Sequence, residues 1–503
     1  MARVALLILA SLLAYANGFG GEWVYDDLHS ILNNPHIRSM WQIWYSFFNQ
    51  EMFSANPSFA MYRPVWLVTC AINYTICGYN FTGWQTLSIL IHALNVVLLY
   101  WVVRKYKPEV AFWASLLFAV HPLAAEPVNY ISARSDLLAG TFWLLTMSFA
   151  MSGKEIKGYL SLFIGLLNKA SIATLPIYTW FYGKCRITRY TVVSFGLVGV
   201  FLAMIYGNGH LGSSLTNTPR SWTDQAAAQL QVVAQHTWYL LIPYPLSVEH
   251  IVDPAHWWEM VAGWWIIMAS IWMFRFYPEC RLLLLWIILP LVVITIVPLN
   301  VLVAERRLYL SLAPICVLLA IHLPRKVLIP LSVVFLCLTW QRNTVWDSGY
   351  SLWSDAVQQA PGAARPHLEL GMVYVQQALK GGPWDKAEKE FGKAIDLDKT
   401  GMVKIKALNN LGGIYLQNNQ LVEAGSVFGF LEIVAPDEPG VMGNLGVLAF
   451  KKGEFDKAEK YLLSALQTEP YNADLWTNLS FVYVGLRNRD KANWAHQKAI
   501  QYD

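Results

Sequence analysis

The sequence predicts an all-α protein in two parts: a polytopic membrane domain of about eleven transmembrane helices over residues 1–342, and a helical-repeat solenoid over 343–503. Three observations carry that expectation. Of 503 residues, 55% are hydrophobic and only 14% charged, with 23 Trp and 25 Tyr, a balance that belongs to membrane proteins. The oily character is uneven: residues 1–342 hold 21 Lys and Arg against 14 Asp and Glu, and the remainder hold 16 against 19. From about residue 365 the apolar pattern recurs every 34 residues, the mark of a stacked array.

The membrane part opens with an apolar stretch over 4–19, after a lone Arg3. Ala14-Tyr-Ala16 also fits a cleavage site, so a signal peptide is the alternative; a retained helix completes the topology. Further apolar runs occupy about 84–103, 109–122, 136–152, 158–168, 170–183, 190–206, 259–275, 281–298, 308–322 and 327–341. Several are shorter than the ~20 residues a bilayer crossing requires. The two flanking Asn168-Lys169-Ala170 read as a hairpin sheltered by neighbours.

Basic residues set the orientation. With a cytoplasmic amino terminus, Arg3, Arg104, Lys105, Lys107, Lys154, Lys157, Lys184, Arg186, Arg189, Arg275, Arg281, Arg325 and Lys326 all fall inside, 13 of the 21. Of the carboxylates only Glu109, Glu155 and Glu279 do so. This arrangement requires the Met61–Cys77 stretch to lie in the outer interface as an Arg-, Trp- and Tyr-bearing helix. The first outer loop then spans 20–83, and it shares the extracytoplasmic side with the whole of 343–503.

Within that second part, Leu370-Gly371, Leu411-Gly412, Leu445-Gly446 and Leu479-Ser480 recur in step, as do Ala387, Ala424, Ala458 and Ala492, and Pro436 and Pro470. The pattern resembles about four tetratricopeptide repeats, in which small residues let two helices pack closely. The first repeat is expanded by Lys380 to Pro383. An array of this kind offers a groove for a protein or peptide.

Charged side chains beside membrane helices are costly and are functional candidates for that reason. On the outer side these are Asp26, Asp27, Arg63, Glu126, Arg134, Asp136, Lys169, Glu305, Arg306 and Arg307, with His29 and His121 nearby in sequence. Carboxylates next to Arg and Lys suit a reaction that deprotonates a hydroxyl while holding an anionic leaving group. The bland reading is mutual pairing, Arg134 with Asp136 or Glu305 with Arg306. Asp26 and Asp27 resist it, because adjacent acids repel when both are ionised.

These stretches resemble a known family. Tyr15-Ala-Asn17, Trp23-Val-Tyr-Asp26-Asp27, Tyr62-Arg63-Pro64, His92-Ala-Leu-Asn95, His121-Pro122 with Glu126, Arg134-Ser-Asp136-Leu-Leu-Ala, and Glu305-Arg-Arg-Leu-Tyr309-Leu look like the transmembrane and tetratricopeptide-repeat (TMTC-like) O-mannosyltransferases and their prokaryotic relatives. The resemblance covers nearly the whole chain. It implies a GT-C membrane fold and a sugar, typically mannose, carried on a polyprenyl phosphate and passed with inversion to a Ser or Thr hydroxyl of an extracytoplasmic protein. By the same resemblance Asp26 is the base and Asp27 orients the site, while Arg63, Arg134, Lys169 and Arg306 are candidates to hold the lipid phosphate. His29, His121, Glu126, Asp136 and Glu305 are supporting residues.

One position departs from the family. Where its members read Lys-Glu-Ser or similar, this chain reads Asn168-Lys169-Ala170-Ser171. A carboxylate lost at Ala170 implies either a diverged or inactive enzyme or a deliberate substitution, the latter preferred because the surroundings keep the pattern. The competing readings are a membrane-anchored adaptor whose site has decayed, and a GT-C enzyme acting on a lipid or glycan. The expected partners are the lipid-linked sugar, an acceptor protein bound by the repeats, and membrane lipid. Basic residues confined to short loops argue against nucleic acid. No cofactor is expected, and no metal, although Asp26, Asp27 and Glu126 are oxygen donors. The sequons at Asn73, Asn80 and Asn478 do not decide between a bacterial inner membrane and the endoplasmic reticulum.

Overall fold

The structure, a computed structural model, describes residues 1–503 apart from 57–58, 184–186, 208–219, 254, 298–300 and 503. Lys184 and Arg186, two of the orientation markers, and Cys185 therefore lie outside the described residues. All the regular elements described are helical. The chain divides into two units, one of Met1–Asp27, Met40–Gln50 and Tyr62–Ser348, the other of Leu28–Ser39, Glu51–Met61 and Gly349–Asp503.

The first unit contains α1 (Ala2–Ala14), α2 (Pro64–Cys77), α3 (Phe81–Tyr106), α4 (Ala111–Ala119), α5 (Ala125–Asn129), α6 (Arg134–Met151), α7 (Glu155–Leu166), α8 (Leu175–Tyr182) and α9 (Arg189–Gly207). It continues with α10 (Trp222–Leu241), α11 (Trp257–Phe276), α12 (Arg281–Ile296), α13 (Tyr309–His322) and α14 (Arg325–Val345). Each of the eleven apolar runs coincides with one of these helices. Three described stretches are long and apolar enough to cross a membrane, Phe81–Tyr106, Arg189–Gly207 and Pro278–Ile296. The pair Ala111–Ala119 and Pro122–Asn129, bent by 55°, makes a fourth if it is one broken span. That falls short of the eleven expected. Several of the other runs form helices of only 8–14 residues, one of them preceded by a 3-10 turn, or contain an internal proline, as at Pro314 and Pro330, while Arg134–Met151 and Trp257–Phe276 are 18 and 20 residues long. The α10 helix is absent from the apolar runs because its sequence, rich in Gln and Ala, has no continuous oily stretch.

The core of this unit gathers α1, α3, α4, α6 and α13. It also buries polar groups that tie these helices together. His92 bonds the Tyr309 hydroxyl through Nδ1 at 2.9 Å and the Ala119 carbonyl through Nε2 at 3.2 Å. Asn95 donates to Leu137 O at 2.8 Å and accepts from Thr141 Oγ1 at 2.7 Å. The His92-Ala-Leu-Asn95 motif thus ties α3 to α4, α6 and α13. Gly140 leaves room for the knot, since a Cβ there would lie 2.8 Å from the Tyr309 ring. Inter-helix hydrogen bonds of this kind are worth roughly 0.6–2 kcal/mol each in a bilayer.

The second unit contains α15 (Gly349–Gln359) followed by four helix pairs, α16 (Ala364–Leu379) with α17 (Asp385–Leu397), α18 (Met402–Gln417) with α19 (Leu421–Val434), α20 (Pro439–Lys451) with α21 (Phe455–Thr468), and α22 (Ala473–Gly485) with α23 (Arg489–Tyr502). The repeated glycines make the first three pairs close: a Cβ on Gly371, Gly412 or Gly446 would lie 2.6–2.7 Å from Phe391, Phe428 or Leu462. Two segments of the expected first outer loop belong to this unit. Asn34 stitches them together by donating to the carbonyls of Ser30, Met52 and Phe53, each at 3.1 Å. Asn56 Nδ2 donates to Glu469 Oε1 at 2.8 Å, and the His36 ring meets Tyr471 edge-on at 5.3 Å.

Candidate active site

The acidic pair follows the end of α1 in the first unit. Trp23 anchors the approach, packed edge-on against Phe81 and Trp84 at 5.3 Å. Tyr25 then takes a φ of +59°, a region that residues with a side chain rarely occupy. This turn gives the two acids different surroundings. Asp26 is half-buried, and its backbone N–H donates to the Tyr130 hydroxyl at 3.2 Å. Asp27 is fully buried, and its Oδ1 accepts from both Ser132 N, at 2.7 Å, and Ser132 Oγ, at 2.5 Å. Its Oδ2 meets no hydrogen-bond partner among the described residues.

Burial pushes the Asp27 carboxyl up to about 7, with the neighbouring Asp26 charge adding to the effect and the Ser132 hydrogen bonds opposing it. Desolvation thus outweighs two good hydrogen bonds, as expected for a carboxylate removed from water. The pair divides into a buried acid that holds its proton near neutrality and a more accessible neighbour.

Tyr130 and Ser132 lie in the short link between α5 and α6, whose first turn continues the site. Ser135 Oγ accepts from Arg63 Nη1 at 3.1 Å. Asp136 forms an ion pair with Lys169, which stands at the turn after α7. Burial, with Arg63 and Arg306 nearby, lowers the Lys169 ammonium to about 8 despite Asp136. Arg63 is likewise lowered by burial, with Asp136 and Asp26 acting against that.

Across this rim Glu126, on α5, is buried and receives Arg306 twice: the backbone N–H at 2.8 Å and Nη1 at 2.5 Å. The Arg306 guanidinium lies 5.5 Å from the centre of the Tyr130 ring. Burial alone would lower its affinity for a proton, but Glu126, then Tyr130, Tyr25 and Asp26, raise it above the ordinary value. Arg307 donates to Val301 O and Leu302 O at 2.8 and 2.9 Å, and burial beside Arg306 brings it down to about 10. Asp26, Arg63, Lys169 and Arg306 are each half-buried and within electrostatic range of one or more of the others. Asp26 thus lies within electrostatic range of Arg63 and Arg306, and both of these cations within range of Lys169.

Other candidates stand elsewhere. Arg134 is fully buried, with Nε donating to Ser88 Oγ at 3.2 Å, Nη2 to Trp84 O at 2.8 Å, and the guanidinium over the Trp84 ring. It holds the start of α6 against α3. Glu305 accepts from Ser247 N at 2.5 Å and His250 Nε2 at 3.2 Å, and has Arg342 at 3.7 Å. His121 caps the turn Pro122–Ala124 by accepting from Leu123 N at 3.2 Å, with its ring against Phe335. His29 belongs to the second unit, where Nδ1 bonds Ser54 Oγ at 2.9 Å and the ring stacks on Phe59. Ala170 begins the 3-10 turn Ala170–Thr174 and packs on the core. Neither bland pairing occurs: Asp136 takes Lys169 instead of Arg134, and Arg306 takes Glu126 instead of Glu305. Sequence reading missed Tyr130, Ser132 and Ser135, although all three lie between Glu126 and Asp136, two residues it did single out.

Comparison with known proteins places these residues in context. A tetratricopeptide-repeat family model matches residues 439–472. A protein O-mannosyl-transferase of Caenorhabditis elegans is 26% identical over 79% of this chain and 63% of its own length. The human protein O-mannosyl-transferase TMTC4 is 25% identical over 73% and 63%, and human TMTC3 is 23% identical over 97% and 67%. The chain thus spans about 63% of the length of the first two of these relatives. Across most of its length the curated homologues of this chain are protein O-mannosyl-transferases of the TMTC group, and its second unit carries a tetratricopeptide repeat.

Proposed function

We propose that this chain is an inverting glycosyltransferase that moves mannose from a polyprenyl phosphate to Ser or Thr hydroxyls of extracytoplasmic proteins. The observation that supports it most is the half-buried Asp26 on the same rim as Arg63, Lys169 and Arg306. In this reading the acceptor oxygen attacks the anomeric carbon while the bond from that carbon to the phosphate oxygen breaks. The hydroxyl proton passes to the Asp26 carboxylate, and the polyprenyl phosphate leaves as a dianion. General-base help of this kind is worth roughly a hundred- to ten-thousandfold. Arg63, Lys169 and Arg306 offset the growing phosphate charge; a preset charge of this sort is worth most where water is excluded.

Asp27 is read as the orienting acid, fixed by Ser132 and kept from the acceptor hydroxyl by its complete burial. The repeats are read as the acceptor-binding part, and the eleven helical runs as the membrane domain, with the site on the extracytoplasmic side according to the basic-residue distribution.

The test is transfer from short-chain polyprenyl-phosphate mannose to secreted acceptor proteins by the full chain in nanodiscs. Ala170→Glu is expected to raise the rate, and adding Asp26→Asn to remove it. Transfer that survives Asp26→Asn overturns the base assignment. No transfer by any form, with the repeats still capturing acceptors, replaces the enzyme by the adaptor.

A further inference from the structure

Tyr130 stands where the two halves of the site meet, and nothing in the proposed transfer reaction requires it. Its side chain is 1% exposed. Its hydroxyl takes the Asp26 N–H at 3.2 Å. One neighbour of its ring is Arg306, 5.5 Å from the centroid, and another is Trp346, stacked at 5.5 Å with 16° between planes. The third is Tyr25, tilted against it at 5.6 Å. Tyr25 is the residue held at φ +59°, and a turn strained in this way persists only when its surroundings over-determine it. Tyr130 supplies two such restraints from one side chain: the ring braces Tyr25, and the hydroxyl pins the next peptide unit.

We propose that Tyr130 is a positioning residue that sets Asp26 relative to Arg306, the hydroxyl fixing the acid-bearing turn and the ring fixing the guanidinium. The proposal rests on the reading of Asp26 as base and Arg306 as a phosphate ligand. It goes beyond that reading by making one aromatic side chain responsible for their mutual geometry. A tyrosine serves both ends because its polar tip and its π face point in different directions; a phenylalanine keeps the ring contacts to Arg306 and Tyr25 and loses the hydrogen bond to the Asp26 N–H. Misplacing a base by a fraction of an ångström is costly in rate, whereas a cation over an aromatic face is held by the ring itself.

The experiment compares Tyr130→Phe, Tyr130→Leu and Asp26→Asn in the full chain and in the Ala170→Glu background. Tyr130→Phe is expected to lower kcat about tenfold with the donor KM unchanged, since Arg306 keeps its ring. Tyr130→Leu is expected to lower kcat and also to raise the donor KM and the Kd for a short-chain polyprenyl phosphate at least fivefold. Amide hydrogen exchange gives a readout independent of turnover: the Asp26 N–H is expected to exchange at least tenfold faster in Tyr130→Phe, while the peptides of α3 and α6 keep their native rates. Native exchange at Asp26 in Tyr130→Phe overturns the proposal. So does acceleration spread over the whole first unit, which makes Tyr130 a general core residue. If Asp26→Asn stays active, the base assignment fails and takes the catalytic half of the proposal with it. If Asp26→Asn is inactive and Tyr130→Phe has native kcat, only the proposal fails.

Discussion

Asp27→Asn isolates the consequence of burying one acid of an adjacent pair. Asparagine keeps Oδ1 for the two hydrogen bonds from Ser132 and puts an amide where Oδ2 has no partner among the described residues, so shape is retained and charge is lost. In the folded protein the carboxyl rises from 3.8 to about 7, chiefly through burial. The folded state therefore binds this proton more tightly than the unfolded state does. The Asp27 contribution to stability is fully present below about pH 4, falls as pH rises toward 7, and is lost above it. A difference of one pH unit in proton affinity is worth about 1.4 kcal/mol, and integrating proton binding between pH 5 and pH 8 gives a loss of roughly 2–3 kcal/mol. The assay is unfolding in nanodiscs at a series of pH values, read as the native-minus-variant difference, which cancels every group the two proteins share. The difference is expected to move in favour of Asp27→Asn as pH rises through that window. Parallel profiles would show that Asp27 ionises in the folded protein as freely as in water, and would remove the physical basis for separating the roles of the two acids.

Three further outcomes follow from the same geometry. Arg306→Met strands the buried Glu126 carboxylate and should cost about 3–5 kcal/mol by thermal unfolding, a loss that adding Glu126→Leu largely recovers. Arg134→Lys gives up the paired contacts to Ser88 and Trp84 O and should cost about 1–3 kcal/mol with no change in the Kd for a short-chain polyprenyl phosphate; a weakened Kd at native stability would return Arg134 to the phosphate site. In the repeats, Gly412→Ala drives a Cβ to 2.6 Å from the Phe428 ring, and overpacking of this kind should cost about 1–3 kcal/mol, seen as a lowered midpoint in denaturant.

Much of the architecture was legible because its signals are local. Apolar runs mark helices, and a 34-residue period with small residues in fixed places marks helix pairs. The number of membrane crossings was not legible in the same way. A window of apolar residues does not reveal where a 3-10 turn such as Ala170–Thr174 divides it, or that Pro122 begins a turn bending α4 away from α5. Nor does composition show that Leu28–Ser39 and Glu51–Met61 fold with the repeats. Their attachment includes contacts such as Asn56 to Glu469 and His36 to Tyr471, between residues more than 400 apart in the chain.

The candidate site shows the same limit at finer scale. Asp26 and Asp27 stood out because two neighbouring acids need an explanation, but sequence alone did not say which is buried. The answer lies in a serine 105 residues away. Arg134 and Arg306 were both candidates to hold the lipid phosphate, and nothing in the sequence ranked one above the other. Their environments separate them: Arg134 is enclosed by Trp84 and Ser88, whereas Arg306 is only half-buried above Tyr130. Arg134 still has Nη1 without a partner among the described residues, but the guanidinium is sealed inside the fold, where a lipid phosphate does not reach it. Arg306, paired with the Glu126 carboxylate, keeps its side chain 17% exposed. The distinction rests on burial and partner type, and neither property is written in the spacing of a motif.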